Sequence, residues 1–246
     1  MELLIPLAVV SLGGIIKGLN GFGYAVVSTP LLAIFMPGQE AVALMIIPLI
    51  AGNFELVAET SREELERCLS NFSSLILSLS LGVTIGTLAL RIIPSDIIKT
   101  SVGVIAILFA ASKTPKISEF FTRLSEVCFK AWEPIIGFLS GLVYGSSNIG
   151  VPIVAYLEST NLSRERKISA LAIIILGISV YRVLLAQYSG LYAGSEKLLL
   201  SAFMALPAIL SVRIGTRFAQ KVPDLYLERF SVLMIAAIGF KLVLPF

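Results

Sequence analysis

Gly13-Gly-Ile-Ile-Lys17-Gly-Leu-Asn20-Gly21-Phe-Gly23-Tyr-Ala-Val-Val-Ser-Thr-Pro30 places five glycines, a lysine and a proline inside an otherwise apolar run. Glycine in a helix interior costs roughly 1 kcal/mol relative to alanine, and a lysine in an apolar segment costs more. The stretch therefore reads as a helix broken for a purpose. A second version stands at Gly137-Phe-Leu-Ser-Gly141-Leu-Val-Tyr144-Gly145-Ser146-Ser147-Asn148-Ile-Gly-Val-Pro152. Both spell Gly-x-x-x-Gly-Leu, then a glycine-containing break, then proline. A duplicated break predicts a duplicated half-site.

The rest of the chain supplies an apolar setting for these breaks. Of 246 residues, 57% are hydrophobic and 14% charged, and the mean hydropathy is +0.93. Soluble domains carry about a quarter charged residues, so the chain is an integral membrane protein. Its apolar runs are interrupted by Gly and Pro, without the alternation of a membrane barrel, and this predicts α-helices. Met-Glu-Leu-Leu-Ile-Pro has neither a basic start nor a small-residue cleavage site, so the first apolar segment is expected to stay on the chain. No histidine occurs, which excludes histidine catalysis and histidine-ligated metals. Cys68 and Cys128 lie in polar connections without metal or redox spacing. No cofactor and no nucleic-acid partner are expected.

Ten apolar segments follow, at approximately 3–19, 22–36, 40–58, 71–92, 95–112, 134–146, 149–158, 168–188, 196–216 and 225–246. A span needs about 20 residues, so the first two segments of each half read as hairpins or tilted pairs. Residues 60–70 carry the capping box Ser61-Arg-Glu-Glu64 and predict one or two exposed helical turns. Residues 113–131 carry apolar positions at helical spacing among basic ones, as a cytoplasmic amphipathic linker would. The expected domains are a first membrane repeat (1–112), this linker (113–131) and a second membrane repeat (132–246).

The duplication extends further: Ala43, Leu44, Ile46 and Ile47 recur 127 residues on as Ala170, Leu171, Ile173 and Ile174, and Ile85-Gly-Thr87 recurs 129 residues on as Ile214-Gly-Thr216. Basic residues set orientation. If segments 1/2 and 6/7 go in and come back, twelve of the sixteen Lys and Arg in the connections fall on one side, against Arg91, Lys99, Lys197 and Lys241 on the other; a single broken crossing would divide them evenly. The expected fold is all-α, with two inverted repeats of about five segments, re-entrant or broken hairpins at 1/2 and 6/7, both termini outside and the basic loops cytoplasmic.

Interrupted helices present free N–H groups that attract anions. Candidate substrate-binding residues are Lys17, Asn20, Gly21 and Gly23 at one tip and Gly145, Ser146, Ser147 and Asn148 at the other, meeting near the midplane. Close helix packing would also require Gly-x-x-x-Gly, and Lys17 would also suit an interface to which it snorkels. Arg182, inside segment 8, is a candidate for anion guidance or for a fixed structural pair. Glu55, its counterpart in the first half, is a candidate proton carrier.

The two glycine stretches, with Gly-Thr and then Pro closing each half (Gly86-Thr87 and Pro94, Gly215-Thr216 and Pro223), resemble the TauE/SafE family of sulfite exporters. The resemblance implies a multi-pass secondary carrier or exporter of a small anion such as sulfite or an organosulfonate, for example sulfoacetate. An anion channel using the same site is the alternative, and a structural subunit or an intramembrane enzyme fits less well. The expected partners are the small anion, the lipid bilayer, H+ or Na+ as a coupling ion, and further copies of the chain.

Overall fold

The computed structural model describes residues 3–21, 23–58, 60–112, 129–158, 160, 162–192, 195–219 and 224–244. Every regular element among them is an α-helix. The first hairpin is α1 (Leu4–Asn20) and α2 (Tyr24–Phe35). Helix α1 stops because Gly21 turns left-handed (φ 78°) and returns its N–H to the Lys17 carbonyl at 2.7 Å. Gly23, also left-handed at φ 97°, opens α2. Only glycine takes these angles without strain. The second hairpin, α8 (Phe129–Ser147) and α9 (Val151–Glu158), turns at Asn148, left-handed at φ 65°, whose N–H returns to the Tyr144 carbonyl at 2.8 Å.

Between the hairpins run α3 (Gly38–Leu44), α4 (Ile46–Ala58), α5 (Arg62–Asn71), α6 (Ser73–Ala89) and α7 (Ser95–Ser112). After the second come α10 (Arg164–Tyr188), α11 (Ser195–Phe203), α12 (Ala205–Ala219) and α13 (Asp224–Val243). The capping box at Ser61 forms, with the Glu64 N–H donating to Ser61 Oγ at 3.2 Å, and it starts a ten-residue helix, longer than the expected turn or two. Segment 40–58 is divided at Met45. Pro48 has no N–H for the Leu44 carbonyl, and that carbonyl is taken by Ser201 Oγ at 2.8 Å. Segment 196–216 has the same irregularity at Met204, three residues before Pro207.

By length and composition Ser95–Ser112, Glu165–Tyr188 and Glu196–Ala219 can each cross a membrane. Helices α5 and α6 would form one more span, bent by 73°. The expected linker falls largely on 113–128, and with Cys128 it lies outside the described residues.

Four helix pairs build the body: α1 on α12 and α6 on α8, which run parallel, with Gly14 and Gly18 meeting Ser211 and Gly215, and Gly82 and Gly86 meeting Gly141 and Gly145; and α7 on α13 and α4 on α10. Three of these pairs meet glycine to glycine, α7 and α13 at Gly103 and Gly239. A Cβ on Gly18 would stand 2.2 Å from the Val212 carbonyl oxygen, and one on Gly141 would stand 2.2 Å from that of Leu79. Such approach is how helices associate where lipid gives no hydrophobic drive between them. The opposite faces are apolar yet exposed, as lipid contact requires: Leu77, Leu81 and Ile85 on α6, and Leu206, Leu210 and Ile214 on α12.

At one end of the bundle Gly38 N–H meets Ser95 Oγ at 2.8 Å and Lys197 pairs with Glu40 at 2.7 Å. At another the starts of α5 and α10 share a groove of about 250 Å³ lined by Glu63, Arg67, Cys68 and Arg166.

Candidate functional site

Lys17 lies in the last turn of α1 and is 5% exposed. Its Nζ donates to Asn53 Oδ1, and Asn53 Nδ2 donates to the Leu49 carbonyl one turn back on α4 at 2.7 Å. Tyr24, the first residue of α2, is 2% exposed. Its ring is wedged between Gly13 and Gly52, where added Cβ atoms would lie 3.1 and 2.9 Å away. Among the buried side-chain polar atoms of the described residues, the Tyr24 hydroxyl and the Ser140 hydroxyl are the two without a hydrogen-bond partner. Buried hydroxyls without partners cost about 1–3 kcal/mol, so that of Tyr24 points to an absent acceptor.

Both residues line a cavity of about 60 Å³, room for roughly two to four waters or an ion of similar bulk. Gly21 and Gly23 join Lys17 from the first hairpin, and Tyr144, Asn148 and Gly150 come from the second. Ala25 and Val26, in the first turn of α2, also face it; N–H groups of a first helical turn lack intrahelical acceptors. The remaining wall is apolar: Ile168, Leu171, Ala172 and Ile175 of α10, with Leu49, Phe109 and Val154.

Arg182 is 1% exposed and stands behind this cavity, outside its lining. Its Nε donates to Thr87 Oγ1 at 3.0 Å, its other nitrogens to Asn148 Oδ1 and the Gly145 carbonyl, and its guanidinium lies 5.6 Å from the centre of the Tyr144 ring. Asn148 passes the connection on, donating to Val42 O at 2.8 Å and Thr29 Oγ1 at 3.2 Å. Arg182 thus fixes the left-handed turn of the second hairpin. Among the described residues neither Lys17 nor Arg182 forms an ion pair. Two buried cations with neutral partners give the region a positive potential in a low-dielectric setting.

Of the residues expected from sequence, Lys17, Gly21, Gly23 and Asn148 meet at the cavity. The others do not line it. Asn20 donates to Ser231 Oγ at 2.7 Å on α13. Ser146 and Ser147 donate to carbonyls of their own helix, Leu142 at 2.8 Å and Val143 at 2.6 Å. Gly145 is held against α6, where its Cβ would be 2.7 Å from the Val83 carbonyl oxygen. The side chain of Glu55 lies outside the described residues. Sequence reading missed Asn53 and Tyr24. Asn53 carried a signal, being an amide in the apolar helix 46–58; Tyr24 carried none, because an aromatic on an apolar helix looks the same in a core.

Residues 6–242 match the family model described as Sulfite exporter TauE/SafE. No curated protein and no solved structure matches the chain.

Proposed function

We propose, from the premise that the chain belongs to the TauE/SafE sulfite exporter family, that it carries a small oxyanion held at the Lys17–Tyr24–Asn53 end of the cavity. The family consists of transporters, and this chain is a multi-pass membrane protein. The observation that carries the reading is that two residues lining one cavity hold, among the described residues, a buried ammonium without a carboxylate and a buried hydroxyl without a partner. An oxyanion satisfies both, and the opening turn of α2 adds N–H donors and a favourable dipole. Sulfite and organosulfonates such as sulfoacetate are the substrate class the family supplies. Arg182 acts here as a positioning residue, while Glu55 remains the candidate for proton coupling, with H+ or Na+ as the driving ion.

The inverted-repeat architecture belongs to the same proposal. Gly14 and Gly18 pack on Ser211 and Gly215, while Gly141 and Gly145 pack on Gly82 and Gly86. The first pair precedes its counterpart by 127 residues, the same interval as separates the two left-handed caps, Gly21 and Asn148. The second repeat thus returns the contacts of the first with the partners exchanged, as a two-fold relation between halves 1–112 and 132–246 would. Basic residues gathered near the starts of α5 and α10 support cytoplasmic loops on that side and both termini outside.

The test is binding to the purified chain. Sulfite, sulfate and methanesulfonate are compared for thermal stabilisation of wild type and of Lys17→Gln. Stabilisation by an oxyanion that disappears in Lys17→Gln is the expected result; equal stabilisation of both would place the site elsewhere. In proteoliposomes a carrier shows saturating flux that responds to a proton or sodium gradient, whereas a channel shows neither.

A further inference from the structure

We infer that the groove between the starts of α5 and α10 seats one bilayer phospholipid with a zwitterionic phosphoethanolamine headgroup. The groove is separate from the cavity, and its occupant does not depend on what the cavity binds. Charge, depth and continuity of surface carry the inference.

Glu63, Glu64 and Arg67 of α5 and Arg166 of α10 line the groove. Among the described residues none of these four side chains forms an ion pair or a hydrogen bond. Arg62 and Glu66, which do not line the groove, pair at 3.0 Å. Glu63 and Arg67 have the same i, i+4 spacing, yet they leave that pair unmade and border the groove. Two guanidiniums suit one phosphate, which they grip through forked N–H donors. Two carboxylates suit a primary ammonium, which has three N–H groups to donate. An anionic headgroup without an amine would satisfy the arginines and leave Glu63 and Glu64 facing a like charge. A quaternary ammonium would bring charge but no N–H. The lining, with two charges of each sign, therefore matches a phosphate joined to a primary amine.

The groove lies at headgroup depth. Helices α5 and α6 meet at 73°, so with α6 crossing the bilayer α5 lies close to its surface. Glu133 Oε1 accepts the Leu75 N–H at 3.2 Å, which sets the neighbouring Trp132, an exposed residue, level with the first turn of α6. Exposed tryptophan belongs at the headgroup boundary. Phe72, on the floor of the groove, precedes Leu75 by less than one turn.

The groove also opens onto the lipid-facing surface. Arg166, Ala170 and Ile173 line it, and the same face of α10 continues through Gly177, Tyr181, Leu184 and Tyr188, all exposed. A Cβ on Gly177 would meet nothing within 4 Å, so the floor is open there. The far bank is α6, with Leu77 and Leu81 exposed and Thr84 Oγ1 2.8 Å from the Tyr181 hydroxyl. From Arg166 to Gly177 the path measures about 16 Å, a length that an acyl chain fills by contact and a free amino phosphate does not use. Ile168, Leu171 and Ile175, on another face of α10, wall the cavity. A lipid held here braces that wall from behind and ties α5 to α10.

The test adds lipids with matched chains and phosphoethanolamine, phosphocholine or phosphoglycerol headgroups to the delipidated full chain in detergent. Bound lipid is counted by native mass spectrometry, beside thermal unfolding. One phosphoethanolamine lipid per chain is expected, at least roughly tenfold tighter than the other two, with a rise in unfolding temperature. Arg67→Gln and Arg166→Gln, each at an exposed position and checked for an unchanged unfolding temperature without lipid, should each weaken that binding roughly tenfold. Glu63→Gln combined with Glu64→Gln should erase the preference over phosphoglycerol. Soluble phosphoethanolamine should bind at least roughly tenfold more weakly than the lipid, and Gly177→Leu should weaken the lipid. If soluble phosphoethanolamine binds as tightly as the lipid, the groove takes a free amino phosphate and the lipid assignment falls. Tighter binding of the phosphoglycerol lipid would overturn the zwitterionic headgroup. Binding that ignores the headgroup and survives both arginine variants would overturn the site.

Discussion

Tyr24 separates two kinds of stabilisation that usually move together. Its hydroxyl is buried and without a partner among the described residues, so Tyr24→Phe should raise the stability of the ligand-free chain by about 1 kcal/mol. The same change removes a donor from the anion and should weaken binding roughly tenfold, since hydrogen bonds to charged groups are worth about 1.5–3 kcal/mol. Thermal unfolding with and without methanesulfonate reads both effects; a variant that loses stability when empty would show that the hydroxyl already has a partner. Arg182 makes the opposite case. Its three bonds and its seat by Tyr144 serve the fold of the second hairpin, and a lysine cannot reach Thr87, Asn148 and Gly145 together. Arg182→Lys and Arg182→Met should therefore both lose about 3 kcal/mol or more in unfolding measurements. Retention of stability and transport by the lysine variant alone would instead favour anion guidance. Lys17 was visible in the sequence because a charge in an apolar run is rare. Its role depends on Asn53, thirty-six positions away, and no local pattern encodes that distance.

At the scale of helices, the glycine stretches proved to be two things at once, packing surfaces and turns. Gly18→Ala and Gly141→Ala would drive a Cβ to 2.2 Å from a backbone oxygen of the neighbouring helix. Backbone cannot give way as a side chain does, so each should cost about 1–3 kcal/mol of stability, read as a fall in unfolding temperature or in folded yield. Gly177 has nothing within 4 Å of its added Cβ, and Gly177→Ala should stabilise α10 by roughly 1 kcal/mol. Equal behaviour of all three variants would show that helix propensity, not contact, governs these positions. The repeated spelling Gly-x-x-x-Gly-Leu suggested pairing Gly14 and Gly18 with Gly137 and Gly141. Gly14 and Gly18 pack on Ser211 and Gly215 as Gly141 and Gly145 pack on Gly82 and Gly86, so by contact the counterparts stand one turn later than by spelling. Helix boundaries were largely legible from hydropathy. The interruptions at Met45 and Met204 were not, although Pro48 and Pro207 stand three residues after each and remove the N–H that would have bridged the break.

For the molecule as a whole the property to test is sidedness, which the distribution of basic residues predicts. The groove between the starts of α5 and α10 brings Arg67 and Arg166 together, whereas Arg91, Glu40 and Lys197 belong to connections tied by the Lys197–Glu40 pair and by Gln39 Nε2 on the Ile93 carbonyl at 2.9 Å. If the basic end is cytoplasmic, a thiol placed at exposed Glu196 should react with a membrane-impermeant maleimide in intact cells, and one placed at exposed Glu63 should react only after permeabilisation. The native Cys68 is a poor reporter for this purpose. It is a buried free thiol, and burial together with the nearby Glu64 carboxylate pushes its pKa up to about 11. At pH 8 only about one molecule in a thousand then carries the reactive thiolate at this site, so its labelling should stay slow from either side and speed up on unfolding or as the pH rises toward 11. The measurement accordingly uses Glu196→Cys and Glu63→Cys, each with Cys68→Ser and Cys128→Ser. Rapid labelling of the Glu63→Cys protein in intact cells, with the Glu196→Cys protein protected, would invert the orientation. The same outcome would put the groove of Arg67 and Arg166 at the outer face and reverse the side from which an anion first meets the positive end of the bundle.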